Sequence, residues 1–368
     1  MSSPVYFINL RANLKENLLK KLERLLTTAG MATAVSKRDL VAVKLHFGEL
    51  GNAAFIRPIY LRKVVAAVKA AGGSPFLTDA NTLYSGTRSD SPHHLTTAIQ
   101  NGFAYPVVEA PLIIADGLRG RSETAVAIDQ KNFKEAFIGN DIVEADALVS
   151  VAHFKGHELS GFGGTIKNLG MGCASRRGKL AQHSNLSPKV KPKKCIGCGD
   201  CEDHCSQRAI AVIEEKAIID PEKCIGCGEC LLICAQAAIQ IQWNQSIPIF
   251  MENMVEYTLG VMKGKEDKSL FINFITNVSP ACDCYPTNDA PLVRDIGILA
   301  SKDPVAIDQA SVDLVNQEPA LADSCLKTNT GPGEDKFQGV YPKVDWRHQL
   351  EYAETVGLGT RDYQLETL

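Results

Sequence analysis

The chain has no apolar run approaching the roughly 18 residues that a membrane helix needs, so no bilayer-spanning segment is expected. It also lacks a secretory signal pattern. Its first apolar run, VYFINL, is short, and a charged amphipathic stretch follows it where a small-residue cleavage site would be required. Charge of one sign is not in excess. Lys plus Arg number 39 against 42 Asp plus Glu, a net charge of −3, which gives no basic surplus for nucleic acid or an anionic membrane. The one basic cluster, KVKPKK at 189–194, is short and reads as a solvated linker. These absences predict a soluble, cytoplasmic protein.

The content that remains is ordinary for a globular chain, with 45% hydrophobic and 22% charged residues over 368 positions. That length allows two domains, or one large α/β domain with an insertion. Strand and helix signals alternate along the first half. VYFINL, DLVAVKLHF, SPFLTDA and DALVSVAHF read as strands. Leucines at helical spacing over 14–29 and the segment IYLRKVVAAVKAAGG read as helices, the second stopping at a glycine pair. Beyond residue 243 the pattern resumes with IPIFMENMVEYTLGVMKGK, SLFINFITNV, IGILAS and DPVAIDQASVDLVNQ. Such alternation predicts a mainly parallel sheet with helices on its faces. The expected division is a host α/β domain in two parts, 1–186 and 244–368, with a small α+β insertion over 187–243.

Cysteine is abundant, with twelve in a chain expected to meet a reducing compartment, where clustered thiols are more often metal ligands than disulfides. Eight of them form two near-copies of one unit, CIGCGDCEDHC from 195 and CIGCGECLLIC from 224. Each copy has the spacing C-x2-C-x2-C-x3-C. Three thiolates on one tight loop reach three corners of a 4Fe-4S cube, and the fourth cysteine of each run crosses to the other cluster. One cluster is therefore expected on Cys195, Cys198, Cys201 and Cys234, and the other on Cys205, Cys224, Cys227 and Cys230. Gly197, Gly199, Gly226 and Gly228 let the loops fold around inorganic cores. Zinc is the competing occupant, since paired C-x2-C units also bind it. The region resembles bacterial two-cluster ferredoxins over its whole length. It departs from them after the fourth cysteine of each run, where Ser206 and Ala235 replace the usual proline. Two clusters imply an electron relay. A structural staple is the alternative, because small domains often need metal to fold.

Just upstream lies HFKGHELSGFGGTIKNLGMGCA, residues 153–174, following the apolar run ALVSVA. The strand is expected to end near His153, and ligands of open α/β sheets bind at such strand ends. Candidate acid–base or metal groups are His153, His157 and His183. Lys167 is a candidate for anion binding or a covalent link. Gly161, Gly163 and Gly164, with Lys167, are candidates to bind a phosphate or planar cofactor through exposed backbone N–H groups. A P-loop is excluded, because Lys167 is followed by Asn168 in place of Ser or Thr. Cys173 reads as a ligand or an ordinary buried thiol.

This stretch, the cysteine unit and SKDPVAIDQASVDL together are similar to the uncharacterised iron–sulfur center protein family, domain of unknown function three-six-two. The likeness covers nearly the whole chain and implies no particular reaction. A second likeness joins His157, SGFGGTIK ending at Lys167, and His183 to the nickel-pincer lactate racemases, with FIRP at 55–58 and HHLT at 93–96 as looser echoes. That resemblance implies a racemase-like α/β host with two lobes and a cleft, in which the lysine carries an organic cofactor and histidines ligate nickel or move protons. An additional metal or organic cofactor in the cleft is expected on that basis. The racemases have no ferredoxin insert, and Thr165 and Asn168 lie in unfamiliar surroundings.

Cys282 and Cys284, flanking Asp283, read as a metal or redox pair or as two ordinary thiols. Asp303 is expected to cap a helix, while Asp308 and Asp313 inside that helix need partners, by default in salt bridges. His46, near Lys44 and Glu49, is a candidate for the same cleft. Nothing singles out Cys325. Three functions follow. The first is an iron–sulfur oxidoreductase whose clusters pass single electrons to or from the cleft, served by a redox partner protein or a small-molecule substrate. The second is a racemase-like isomerase with a lysine-linked metal cofactor. The third is a non-enzymatic electron carrier or metal-delivery protein.

Overall fold

A computed structural model describes residues 2–184, 186–242 and 245–368. An eight-stranded sheet organises it, in the spatial order Tyr363–Thr367, Ser3–Asn9, Gly297–Ser301, Ser269–Ile275, Ala147–His153, Leu40–Lys44, Ser74–Asp79, Leu112–Ile114. Only Gly297–Ser301 runs antiparallel to its neighbours. The host is thus a mixed α/β fold with a large, mostly parallel sheet. Strands from before and after the cysteine repeat share this one sheet.

The two central strands, Ala147–His153 and Ser269–Ile275, are buried at every position, as strands covered on both faces must be. Alternate side chains divide between two cores. Leu148, Phe271 and Ile275 join the core under helices Ile247–Met262 and Pro304–Gln317, while Val149, Val151 and Ile272 join the one under Leu18–Thr28 and Pro58–Ala70. No helix among the described residues is long and apolar enough to cross a membrane. Asp303 caps Pro304–Gln317 through the N–H groups of Val305 and Ala306, as expected.

The chain order reverses between Leu40–Lys44 and Ala147–His153. From the first, successive strands step to one side of the sheet, and from the second to the other. The loops leaving the carboxyl ends of these two strands must therefore diverge, and they open a crevice between them.

The cysteine-rich segment leaves and rejoins the host side by side, because Val190 pairs with Ile239. Between them lie a hairpin, Ile210–Ile213 with Lys216–Ile219, and the short helices Asp200–Asp203 and Glu229–Ile233. Cys201, Ile210, Ala217, Leu231 and Ile239 form a separate apolar cluster that also takes in Leu83 and Leu180 of the host. Residues 243 and 244, on either side of the expected far boundary, lie outside the described residues.

Candidate functional site

A cavity of about 730 Å³ occupies that crevice. Its walls come from the segments that follow the strands ending at Lys44, Asp79, His153 and Ile275. This volume lies within the range of small-molecule sites.

Buried ion pairs form the floor. Lys44 lies 3.0 Å from Asp79 and hydrogen-bonds the Asn168 side chain, while Arg88 lies 3.0 Å from Glu49 and 3.6 Å from Asp79. Burial alone would raise the Asp79 carboxyl. Lys44, His46, His94 and Arg88 outweigh it and hold the group well below the usual carboxylate range.

His157, Lys167 and His183 are brought together on the wall, joined by His46. The rings of His157 and His183 both stack on Phe250, with centroids 6.2 and 4.8 Å away. Burial, reinforced by Lys167, lowers both histidines, His183 to about 3, so both are neutral at pH 7. His157 Nδ1 accepts the N–H groups of Leu159 and Ser160, which leaves its proton on Nε2.

His153 does not line this cavity. Its Nδ1 lies 2.9 Å from the Asp283 carboxylate and its Nε2 2.8 Å from the Thr276 carbonyl. Only a doubly protonated ring donates to both. Asp283 also takes Lys155 at 3.2 Å, so His153 and Lys155 together anchor the 282–285 turn. Both cations hold the Asp283 carboxyl low, although its burial opposes them.

The glycines differ from expectation. Of the three, only Gly164 lines the cavity. Gly161, at φ +75°, packs on Trp346, and Gly163 packs on the stem of Lys167. Residues 165–170 form a short helix, and its first N–H groups are already taken. Thr165 and Ile166 donate to the Asp308 carboxylate at 2.7 and 2.9 Å. Those two N–H groups are therefore not open to an anion. Asp308 caps this neighbouring helix and accepts from Asn273 at 2.8 Å, in place of the expected salt bridge. Asp313 likewise meets hydrogen-bond donors, Gln309 and the Tyr363 hydroxyl.

Lys167 points to the 282–285 turn, where its Nζ lies 3.3 Å from Cys282 Sγ. Burial would lower this lysine, but Cys282, Cys284 and Glu158 raise it, so it stays an ammonium. Cys173 is an ordinary core thiol, pushed up to about 11 by burial.

The eight repeated cysteines surround two hollows. Cys195, Cys198, Cys201 and Cys234 line one, and Cys205, Cys224, Cys227 and Cys230 line the other. Backbone N–H groups of Ala217, Ala209 and Ala238 point at the sulfurs of Cys195, Cys205 and Cys234 at 3.2–3.3 Å. Gly197, Gly199, Gly226 and Gly228 all have positive φ, which lets the loops turn inward. Among the described residues, no three His, Cys, Asp or Glu side chains converge on a single-ion site.

Lys155, Lys179, Asp79, Tyr84 and Arg88 also line the cavity and were not apparent in the sequence. They come from three separate segments, 79–88, the strand Lys155–His157 and the helix Arg176–His183, and no local spacing links these three.

Residues 41–313 match the family model described as "Domain of unknown function (DUF362)". The chain belongs to this family. The matched DUF362 span carries both cysteine runs and every residue lining the cavity. No curated protein matches the chain. Among solved structures, the lactate racemase apoprotein from Thermoanaerobacterium thermosaccharolyticum is similar at 14% identity and a TM-score of 0.38, over 74% of this chain and 50% of that one. A protein from Thermotoga maritima is similar at 9% identity and a TM-score of 0.41, over 82% of this chain and 59% of that one. The DUF362 chain thus spans half to three fifths of the length of these two structures.

Proposed function

We propose that this DUF362 protein is a cytoplasmic iron–sulfur oxidoreductase. Residues 187–243 act as a ferredoxin-like module holding two 4Fe-4S clusters. The observation that carries the reading is the composition of the two hollows. Each is lined by three cysteines of one run and one of the other, the crosswise sharing that a two-cluster protein requires. The donor set fits. N–H groups aimed at sulfur favour thiolates, and positive-φ glycines leave the loops room. Zinc, which paired C-x2-C units also bind, is the competing occupant, and metal analysis separates the two.

When bound, such clusters supply one-electron transfer. The chain's own residues give the relay a direction. At the first hollow Cys198 is exposed, which suits a redox partner protein. The second hollow faces the host. A Cβ on Gly228 would touch Arg176 and Leu83, and Leu83 itself lines the cavity. Electrons would then pass between a partner at the first hollow and a small molecule in the cavity. The racemase-like alternative needs Lys167 as a neutral amine at the moment of linkage, and its setting against Cys282 works against that.

Metal and acid-labile sulfide analysis of anaerobically purified protein tests the reading. About eight irons per chain and a brown colour are expected. Cys234→Ser should perturb the cluster shared with Cys195, Cys198 and Cys201, although Cys234 belongs to the second run. Stoichiometric zinc without visible absorbance would overturn the proposal.

A further inference from the structure

The cavity holds a second sulfur centre, apart from the eight repeated cysteines. Cys282 and Cys284 both line it, on a turn closed by the Tyr285 N–H donating to the Cys282 carbonyl at 3.1 Å. The turn holds the Cys284 backbone N–H 3.4 Å from Cys282 Sγ, and the two thiols are close enough to share a hydrogen bond.

The surroundings make the two thiols unequal. Cys282 Sγ receives the Lys167 ammonium at 3.3 Å and the Cys284 backbone N–H at 3.4 Å. The Cys284 thiol also hydrogen-bonds Cys282, which is the largest influence holding Cys282 well below the usual thiol range; burial opposes it, and Lys167 and Lys155 add to it. The same bond, with burial, keeps the proton on Cys284. The turn is anchored from behind by the pairing of Asp283 with His153 and Lys155. A thiolate held beside an ammonium in a cavity of small-molecule size meets two conditions of thiol–disulfide exchange, a raised thiolate fraction and access for a substrate.

We propose that Cys282 and Cys284 are a redox-active pair that exchanges with a small-molecule disulfide bound in the cavity. Cys282 is the attacking thiolate, Cys284 the resolving thiol, and Lys167 the residue that stabilises the thiolate. The Cys282 thiolate attacks one sulfur of R–S–S–R. The S–S bond of the substrate breaks, a Cys282–S–S–R bond forms, and R–S⁻ leaves and takes up a proton. Cys284 then loses its proton and attacks Cys282. This releases the second R–S⁻, which is protonated in turn, and leaves a Cys282–Cys284 disulfide. The substrate disulfide is the oxidant and two thiols are the products; the proposed clusters would return two electrons to the pair, with two protons from solvent, and a dithiol reductant replaces them in the assay. The inference deepens the redox reading of the cavity and rests on it only for the cellular source of those electrons.

The test uses the full-length, anaerobically purified protein with oxidised glutathione as the probe. Samples are acid-quenched, alkylated and mapped by peptide mass spectrometry. The expected product is a Cys282–Cys284 disulfide that dithiothreitol reverses. Cys284→Ser should instead accumulate a Cys282–glutathione adduct. Lys167→Met should slow adduct formation at pH 7 by about tenfold and move its pH profile upward, and Lys167→Arg should restore most of the rate. Exchange with oxidised glutathione confined to peptides 195–234, or a Cys282 left unmodified in Cys284→Ser, would overturn the proposal. An absence of iron with the pair still exchanging would sink the cluster reading alone. Iron at full occupancy with an inert pair would sink this one alone.

Discussion

Glu229 joins the cysteine-rich segment to the host, and Glu229→Ala tests how much that joint contributes. The carboxylate is buried between Cys227 and Cys230 in sequence. It meets Arg119 at 3.0 Å, Arg121 at 2.9 Å and Arg176 at 3.6 Å. The three are not equal. The Arg119 and Arg121 side chains are 58% and 43% exposed, so solvent screening limits each pair to about 0.5 kcal/mol. Arg176 is fully buried and would lose its carboxylate partner in the cysteine segment. Carbonyl oxygens of Thr82, Ser89 and Arg119 still accept from it, which brings the cost just under the usual range for a broken buried pair, to about 2–3 kcal/mol. The total is about 3–4 kcal/mol. A loss of 3 kcal/mol would increase opening of the segment about 150-fold. Hydrogen exchange across 224–233 reads that opening directly, and a double-mutant cycle apportions it. Coupling of Glu229 to Arg176, tested with Arg176→Met, should exceed about 1 kcal/mol, while coupling to Arg119 should fall below about 0.5 kcal/mol. Unchanged exchange in Glu229→Ala, or equal coupling to both arginines, would refute the reasoning.

Asp79→Asn should destabilise the protein by about 3–5 kcal/mol at pH 7, because Lys44 and Arg88 lose a buried counter-charge. The folded Asp79 carboxyl titrates below its ordinary value of 3.8. The unfolded chain therefore binds the proton first, and the stability this group provides is present above about pH 4 and lost as pH falls through the folded value. Melting curves of wild type and variant should accordingly converge in acid. Asp308→Ala strips the acceptor from the N–H groups of Thr165 and Ile166 and should cost about 2–4 kcal/mol in urea unfolding, with Lys167 losing its fixed position. Gly170→Ala would drive a Cβ into the Met254 carbonyl of the packed helix Ile247–Met262, and a loss of about 1–3 kcal/mol is expected from thermal melts.

Local pattern carried much of the architecture. Ala147–His153 and Ser269–Ile275 are legible because a strand buried on both faces must be continuously apolar, whatever surrounds it. The Asp303–Pro304 start and the cysteine spacing are legible for the same reason, since their geometry closes within a few residues. The outer strands Leu112–Ile114 and Tyr363–Thr367 were not legible. Short and half-exposed, they exist only because neighbours pair with them.

The candidate site divides along the same line. Sequence alone placed chemistry on His157, Lys167 and His183 and marked Cys282 and Cys284 as a pair worth weighing. It could not say that Lys167 faces Cys282, which is 115 residues away. Nor could it show that His153 turns from the cavity to brace Asp283, or that the N–H groups of Thr165 and Ile166, just after the glycines, are spent on Asp308 from another helix. Those facts depend on which strand ends become neighbours, and the reversal of strand order between Leu40–Lys44 and Ala147–His153 decides that. Periodicity and spacing act over one turn or one strand. The partners of a buried charge are chosen across the whole sheet, so only the tertiary structure determines them.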